Sequence, residues 1–377
     1  MMPRVSVIIP TYNHGRFVAQ AVESALAQTY RDLQVIVVDD GSTDHTQAML
    51  SGYGTRIHTI TQENRGVSAA RNAGILAAQG DYFVFLDADD LLPANKLALQ
   101  VPMLKARPDW GLVYSGYQHV DENGTRILHE SRPNKQGYVL KDLLRRALFF
   151  PLGAALVRRA CLDRVGLFDE SCPAAADVDM WTRIARAGYA FGYVDQPLFQ
   201  SRVVAGSMST AHAHQARDEF ARLDKFFADP ALPDDVQALE AEAYSALHYE
   251  FAAKYYHAGE IETGRHHLRM AISACPPLAS DEQWLLEWIA GYALGPGVEQ
   301  PHRLIDSIFD HLPPEATTLR SLRRRAHGRY HVAAAFLADQ AHQPRQARPH
   351  ILPALKGEPA MVWNRGFMRL ALRSLLG

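Results

Sequence analysis

The chain has 377 residues, 47% of them hydrophobic and 21% charged, with 39 Lys plus Arg against 41 Asp plus Glu. That length suggests two domains with ample apolar surface to bury, and so balanced a charge leaves no electrostatic footprint for nucleic acid. The three cysteines, Cys161, Cys172 and Cys275, show neither metal-ligand spacing nor a disulfide framework, which fits a reducing cytosol.

The first ten residues carry one Arg and a short apolar run that reads as a strand and not as a signal peptide. The stretch Leu148 to Val157 is interrupted by Pro151 and is half the roughly 20 residues that span a bilayer. The expectation is a cytoplasmic protein, soluble or resting on a membrane surface.

In chain order, Arg4 to Pro10 is a buried-type strand, and apolar residues from Phe17 to Leu26 follow at helical spacing. Gln34 to Asp39 is a second strand. Ser42 and Thr43 in the turn after it are natural caps for a helix ending near Leu50. Ile57 to Thr61 is a short strand, Ser68 to Gln79 a helix closed by Gly80, and Tyr82 to Leu86 a fourth strand. Pro93 is placed to open the next helix. Gly111 to Tyr114 is one more strand, and Val178 to Ala187 one more helix. Strands alternating with helices predict a doubly wound α/β sheet, mostly parallel, followed by an all-α C-terminal domain.

The change of character falls near 211–235, which gives residues 1–215 to the first domain and 216–377 to the second. In the helical part, Tyr244, Leu247, Phe251 and Tyr255 form one stripe. Leu268, Ala271, Ile272 and Cys275 form another beyond Gly259, a hairpin about the length of one tetratricopeptide unit. A weaker echo runs from Ala326 to Pro359, with Pro349 and Pro353 disturbing its second helix. Degenerate repeats and an irregular helical domain both fit.

In open α/β sheets ligands bind beyond the carboxyl ends of the strands. Here those ends carry Thr11-Tyr12-Asn13, then Asp39-Asp40-Gly41-Ser42, then Asp87-Ala88-Asp89-Asp90. Five carboxylates on one edge are costly when unpaired, and a divalent cation such as Mg²⁺ or Mn²⁺, itself able to hold a diphosphate, relieves them. Asp177 stands just before a helix, where it could cap that helix or deprotonate a sugar hydroxyl. His327 with His331, and His266 with His267, read as surface or packing histidines. No Gly-rich dinucleotide motif and no P-loop is present.

The stretches VSVIIPTYN, VVDDGSTD and ENRGVSAARNAGILAAQGDYFVFLDADD, in this order, resemble the family 2 glycosyltransferases of GT-A fold. A fainter likeness continues through GLFDES, ADVDMWTRIARAGY and SRVVAGSMS to about residue 210. The resemblance implies an inverting, metal-dependent transfer from a nucleoside diphosphate sugar, a UDP-sugar above others, to a saccharide or lipid-linked acceptor. It further implies surface polysaccharide or glycolipid synthesis. Residue by residue, it implies that Pro10, Tyr12, Asn13, Asp40, Arg71, Asn72, Asp87 and Asp89 bind the nucleotide sugar. Asp89 and Asp90 then hold Mn²⁺ or Mg²⁺, and Asp177 is the base, with Trp181 and Arg183 following it on the same helix.

Two positions depart from the family pattern. Ala176 stands where a Glu commonly precedes the Asp, and Val204 where many members carry a His. These leave open a catalytically silent nucleotide-sugar-binding or scaffold protein. Finally, Met361 to Leu376 contains no acid, and Arg365, Arg369 and Arg373 recur every four residues beside Trp363, Phe367, Leu370, Leu372, Leu375 and Leu376. Such a helix suits either a membrane interface or the closing of the helical domain.

Overall fold

A computed structural model describes residues 5–204, 211–295, 297–340 and 343–376. Contacts divide the chain into two compact units, Met1–Leu232 and Pro233–Gly377, so the change of unit falls at the Pro233-Asp234-Asp235 punctuation.

The first unit is built on eight strands: β1 (Val5–Thr11), β2 (Leu33–Asp39), β3 (His58–Thr61), β4 (Tyr82–Phe85), β5 (Trp110–Val120), β6 (Ile127–Ser131), β7 (Leu156–Arg158) and β8 (Ala190–Arg202). Its helices are α1 (Val18–Leu26), α2 (Thr46–Ser51), α3 (Val67–Ala77), α4 (Lys96–Ala106), α5 (Leu140–Leu144), α6 (Arg159–Val165), α7 (Ala176–Arg186) and α8 (His212–Phe227). The sheet order is β3-β2-β1-β4-β7-β5-β6, with β8 paired to β5. β3, β2, β1 and β4 run parallel, as does β8 along β5, while β7 and β6 pair antiparallel. The β-branched runs of β1 and β2 are buried on both faces, as a sheet covered by helices requires. Parallel pairing of β1 with β2 and β4 brings Thr11, Asp39 and the turn after Phe85 to one edge.

Three local expectations change. Ser42 and Thr43 do not cap α2, where Asp44 Oδ1 instead accepts from Thr46 N at 2.9 Å. Gly80 is not the cap of α3, which closes at Ala78. It is small because β1 passes close by: a Cβ there would stand 2.7 Å from Ser6 N and Oγ. Pro93 lies in the turn before α4, accepting from Lys96 N at 3.0 Å, and Asn95 precedes the first helical residue. The strands β6, β7 and β8 had no sequence signal. β7 has three residues, and β8 carries Gly192 and Pro197 and shifts register along β5.

The second unit is helical: α9 (Asp234–Gln237), α10 (Glu240–Ala258), α11 (Ile261–Ala274), α12 (Pro276–Ala279), α13 (Glu282–Ala293), α14 (Pro301–Asp310), α15 (Thr317–Arg320), α16 (Arg323–Gln340), α17 (Pro344–Gly357) and α18 (Arg365–Leu376). Gly259 takes the left-handed conformation between α10 and α11, the usual way a helix ends in a tight hairpin. α17 runs through Pro349 and Pro353. Their missing N–H groups are offset by packing on α16, where Gly328 meets Gly357 so closely that a Cβ on Gly328 would stand 2.6 Å from the Gly357 Cα. The histidines are packed: His267 against His248, and His327 and His331 against His302 and His350. On α18, Phe367, Leu370 and Ala371 are buried against Val332, Ala335 and Ile351, while Leu372, and Trp363 in the turn just before the helix, are exposed.

Candidate active site

The turns after β1 and β2 lock together. Asn13 adopts a left-handed backbone (φ 54°), which Asn tolerates better than most residues. Its N donates to Ser42 Oγ at 2.9 Å, and its Oδ1 accepts from Thr43 N at 2.8 Å. Ser42 N in turn donates to Asp39 Oδ1 at 3.0 Å. Beside them Tyr12 is 43% exposed, an aromatic face open to a ligand, while Pro10 is buried within β1.

Asp40 is buried and organises the loop that feeds α3. Its Oδ1 accepts from Gln62 Nε2 at 2.7 Å and from Arg65 N at 3.0 Å, and its Oδ2 accepts from Gly66 N at 2.7 Å. Arg71 and Asn72 follow on α3, both buried. Arg71 Nη2 donates to Asp87 Oδ1 at 2.7 Å. The Asn72 amide is given over to the loop after α6, donating to Phe168 O at 3.0 Å and Glu170 Oε1 at 3.2 Å and accepting from Phe168 N at 2.9 Å. Asn72 therefore shapes this edge through the Phe168 loop.

The acidic turn after β4 separates three carboxylates by environment. Asp87 is the open one, its side chain 44% exposed beside Arg71. Asp89 is half-buried, and its pKa is raised, first by burial and then by the charge of Asp87. Asp90 is buried, its Oδ1 accepts from Arg202 N at 2.9 Å, and burial followed by the charges of Asp89 and Asp87 raises its pKa further. Asp90 thus fastens the turn to the end of β8. In the same strands and helix, Thr11 Oγ1, Asp39 Oδ2, Ser68 Oγ and Arg71 Nε are buried polar atoms with no hydrogen-bond partner in the protein.

Among the described residues, no cluster of three or more His, Cys, Asp and Glu side chains is arranged to hold a metal ion. The donor chemistry still fits one. Asp87 and Asp89 offer hard oxygens, and a divalent cation held there would relieve their mutual repulsion. Val204 provides no such ligand, and residues 205–210, the end of the fainter likeness, lie outside the described residues.

Asp177 lies in the first turn of α7, half-buried. Its Oδ1 accepts from Val178 N at 2.8 Å. Its pKa is raised to about 6, chiefly by withdrawal from water and then by the charge of Glu219, against the opposing pull of the Val178 hydrogen bond, Arg146 and Arg71. Trp181 and Arg183 serve the scaffold. Trp181 Nε1 donates to Phe150 O at 3.2 Å with the two rings stacked, and Arg183 holds Val165 O at 2.7 Å and Leu167 O at 3.0 Å. Glu219, Arg146 and Arg222 had no sequence signal: α8 lies far along the chain, and the left-handed backbone of Arg146 (φ 58°) is not legible from its residue type.

This sheet, with a polar turn at the carboxyl end of β1 and acidic turns at those of β2 and β4, and with α7 in the same unit, has the form of a GT-A-type transferase core. The sequence model of glycosyl transferase family 2 matches residues 6–166. An uncharacterized glycosyltransferase of Rickettsia prowazekii is 33% identical over 224 residues, covering 57% of this chain and 69% of that protein. The chain belongs to glycosyl transferase family 2. It spans 36% and 64% of the length of two further Rickettsia relatives. Among solved structures, the mannosyltransferase PcManGT from Pyrobaculum calidifontis, in complex with GDP-Man and Mn²⁺, superposes with a TM-score of 0.52 at 21% identity, covering 97% of this chain and 88% of that one. Staphylococcus aureus TarS (residues 1–349), in complex with UDP-GlcNAc, gives 0.50 at 17% identity, covering 96% and 92%. These two share the fold.

Proposed function

We propose that the chain is an inverting glycosyltransferase that moves a sugar from a nucleoside diphosphate sugar to an acceptor hydroxyl. The observation that carries this reading is Asp177, a carboxylate with a pKa of about 6 on α7, in the same unit as the acidic edge of the sheet. A base that titrates just below neutrality is ionised at pH 7 and still takes up a proton, which a carboxylate at its ordinary value does poorly.

In this reading Tyr12 stacks on the nucleobase, Asp40 and the loop it organises hold the base edge, and Asp87 and Asp89 face the ribose and diphosphate. Pro10, Asn13 and Asn72 shape the pocket through backbone and loop. Asp87 and Asp89 would hold Mn²⁺ or Mg²⁺, with Asp90 bracing the turn behind them, and the cation would neutralise the leaving diphosphate. Asp177 takes the proton of the acceptor hydroxyl as its oxygen bonds to the anomeric carbon. The bond from that carbon to the diphosphate oxygen breaks, and the diphosphate leaves with the electron pair. One displacement with no protein nucleophile inverts the anomeric configuration.

UDP-sugars lead the donor candidates. UDP-GlcNAc in TarS and GDP-Man in PcManGT mark the range to screen. A saccharide or lipid-linked acceptor, surface polysaccharide or glycolipid synthesis, and a cytoplasmic place at the inner membrane face complete the reading. The first unit, which runs to Leu232 and so beyond the expected boundary near 215, forms the catalytic domain, and the hairpins α10–α11 and α16–α17 are read as degenerate tetratricopeptide-like units for interaction. Thermal-shift screening of UDP- and GDP-sugars with Mn²⁺ tests donor binding, since a ligand of the native state raises Tm by mass action. Release of UDP or GDP from the donor that binds tests turnover. Binding without release, in wild-type protein supplied with acceptors, favours the silent reading that Ala176 and Val204 motivate.

A further inference from the structure

The family match ends at residue 166, yet α8 is fastened to the segment that presents Asp177. Asp218, buried, accepts from Ala174 N at 3.0 Å in the turn immediately before α7. Lys225 reaches Asp169 at 2.7 Å, and Arg186 of α7 reaches Asp229, just beyond α8, at 2.6 Å. Between these fastenings lies Glu219, 6% exposed. Its Oε1 accepts from Arg146 Nη1 at 3.0 Å and its Oε2 from Arg222 Nε at 3.0 Å. Arg146 follows α5, which packs on α7, and its left-handed backbone is a conformation a non-Gly residue keeps only when its surroundings enforce it.

We propose that Glu219 is a positioning residue of the active centre, a buried carboxylate on α8 that holds Arg146 at the end of α5, the helix packed on the α7 that presents Asp177. This rests on the reading of Asp177 as the base. Position 176 on α7 is Ala, and Glu219 brings a carboxylate from another element, 42 positions beyond Asp177. The pair acts on Asp177 with opposite signs. Glu219 strengthens its hold on a proton, and Arg146 weakens it.

The test is a carbon-13 NMR titration of the full chain labelled at aspartate carboxyls, with the Asp177 signal assigned by its loss in Asp177→Asn. Glu219→Gln should lower the Asp177 midpoint by roughly half a pH unit or more, and Arg146→Gln should raise it. Glu219→Asp, which keeps the charge, should leave it close to wild type. An unmoved midpoint in folded Glu219→Gln overturns the proposal. Should that variant not fold, Arg146→Gln decides: an upward shift supports the proposal, an unchanged midpoint overturns it. Turnover of Asp177→Asn separates the two readings. If that variant still releases UDP from UDP-GlcNAc as the wild type does, both fall; if it is inactive while the midpoint is insensitive to Glu219, only this one does.

Discussion

The side-chain amide of Asn72 holds both backbone polar groups of Phe168. The Asn72 Oδ1 accepts from Phe168 N at 2.9 Å, and its Nδ2 donates to Phe168 O at 3.0 Å. The two residues are 96 positions apart and buried, so this one amide ties α3 to the loop that precedes α7. Asn72→Asp replaces the donating nitrogen by an oxygen facing the Phe168 carbonyl and the Glu170 carboxylate. It should destabilise the first unit by about 1–3 kcal/mol, the range for a buried polar group left unsatisfied. Asn72→Ala should cost a similar amount. Urea denaturation checks this, and a variant as stable as wild type would remove Asn72 from the scaffold.

Asp177 makes a second prediction, in which activity and stability move oppositely. Its pKa of about 6 lies above the ordinary value, so the folded state binds the proton more tightly than the unfolded chain does. The stabilisation from that proton is complete below about pH 4 and is lost as pH rises through about 6. At pH 7.5 the ionised group is therefore a burden. Asp177→Asn should stabilise the fold there by on the order of 2–3 kcal/mol, with the gain vanishing near pH 4. The same change should abolish transfer while UDP affinity stays within about threefold. Wild-type kcat/KM should fall on the acid side with a midpoint near 6. Stability differences that do not depend on pH would contradict the raised pKa.

The contrast between these two residues shows what a sequence discloses. The strand ends were legible because β-branched runs stop at polar turns, and the parallel pairing of β1 with β2 and β4 follows from the intervening helices. Asp87, Asp89 and Asp177 could be read as residues but not as environments. Asp90 looked equivalent to Asp89, yet its carboxylate serves Arg202 N, 112 positions away. Arg183 was legible only as a residue following Asp177 on the same helix, and it holds the Val165–Leu167 turn by its backbone carbonyls. Lys96 gave no sign that it is fully buried with Nζ on Ala154 O at 2.8 Å. Each of these depends on a partner brought in by tertiary structure, and local periodicity carries no record of that partner.

A third prediction concerns the cation. Burial and like charge raise the pKa of Asp89, and a bare diphosphate adds more negative charge to the same turn. Calorimetric titration with UDP and with GDP should give at least about tenfold tighter binding with Mn²⁺ than with EDTA, roughly 1.4 kcal/mol. Asp89→Asn should remove most of the Mn²⁺ dependence. Asp90→Ala should instead lower stability, because it removes the acceptor of the buried Arg202 N–H. Equal affinity with Mn²⁺ and with EDTA would rule out the metal.

The last prediction concerns α18. One face of this helix closes the second unit: Phe367, Leu370 and Ala371 are buried among Val332, Ala335, Ala347, Ile351 and Ala354. What remains outward is amphipathic in a different sense. Trp363 is 85% exposed and Leu372 58%, and the exposed Arg365, Arg369 and Arg373 recur along the helix, with Arg373 paired to Asp339 at 2.9 Å. Among the described residues no helix is long and apolar enough to cross a membrane, so any attachment through this surface is interfacial. A Trp, a Leu and a few arginines suffice for weak, salt-sensitive adsorption to anionic lipid, at about 1 kcal/mol for each basic residue near the surface. Deleting α18 would expose Phe367's partners and confound folding with binding, so point changes at the outward positions are the cleaner probe. Trp363→Ser with Leu372→Ser should leave Tm within about 2 °C and abolish co-sedimentation with phosphatidylglycerol vesicles. Wild-type protein should sediment with those vesicles at low salt, and not with phosphatidylcholine alone. Wild-type protein that stays in the supernatant with both would assign α18 to internal packing alone.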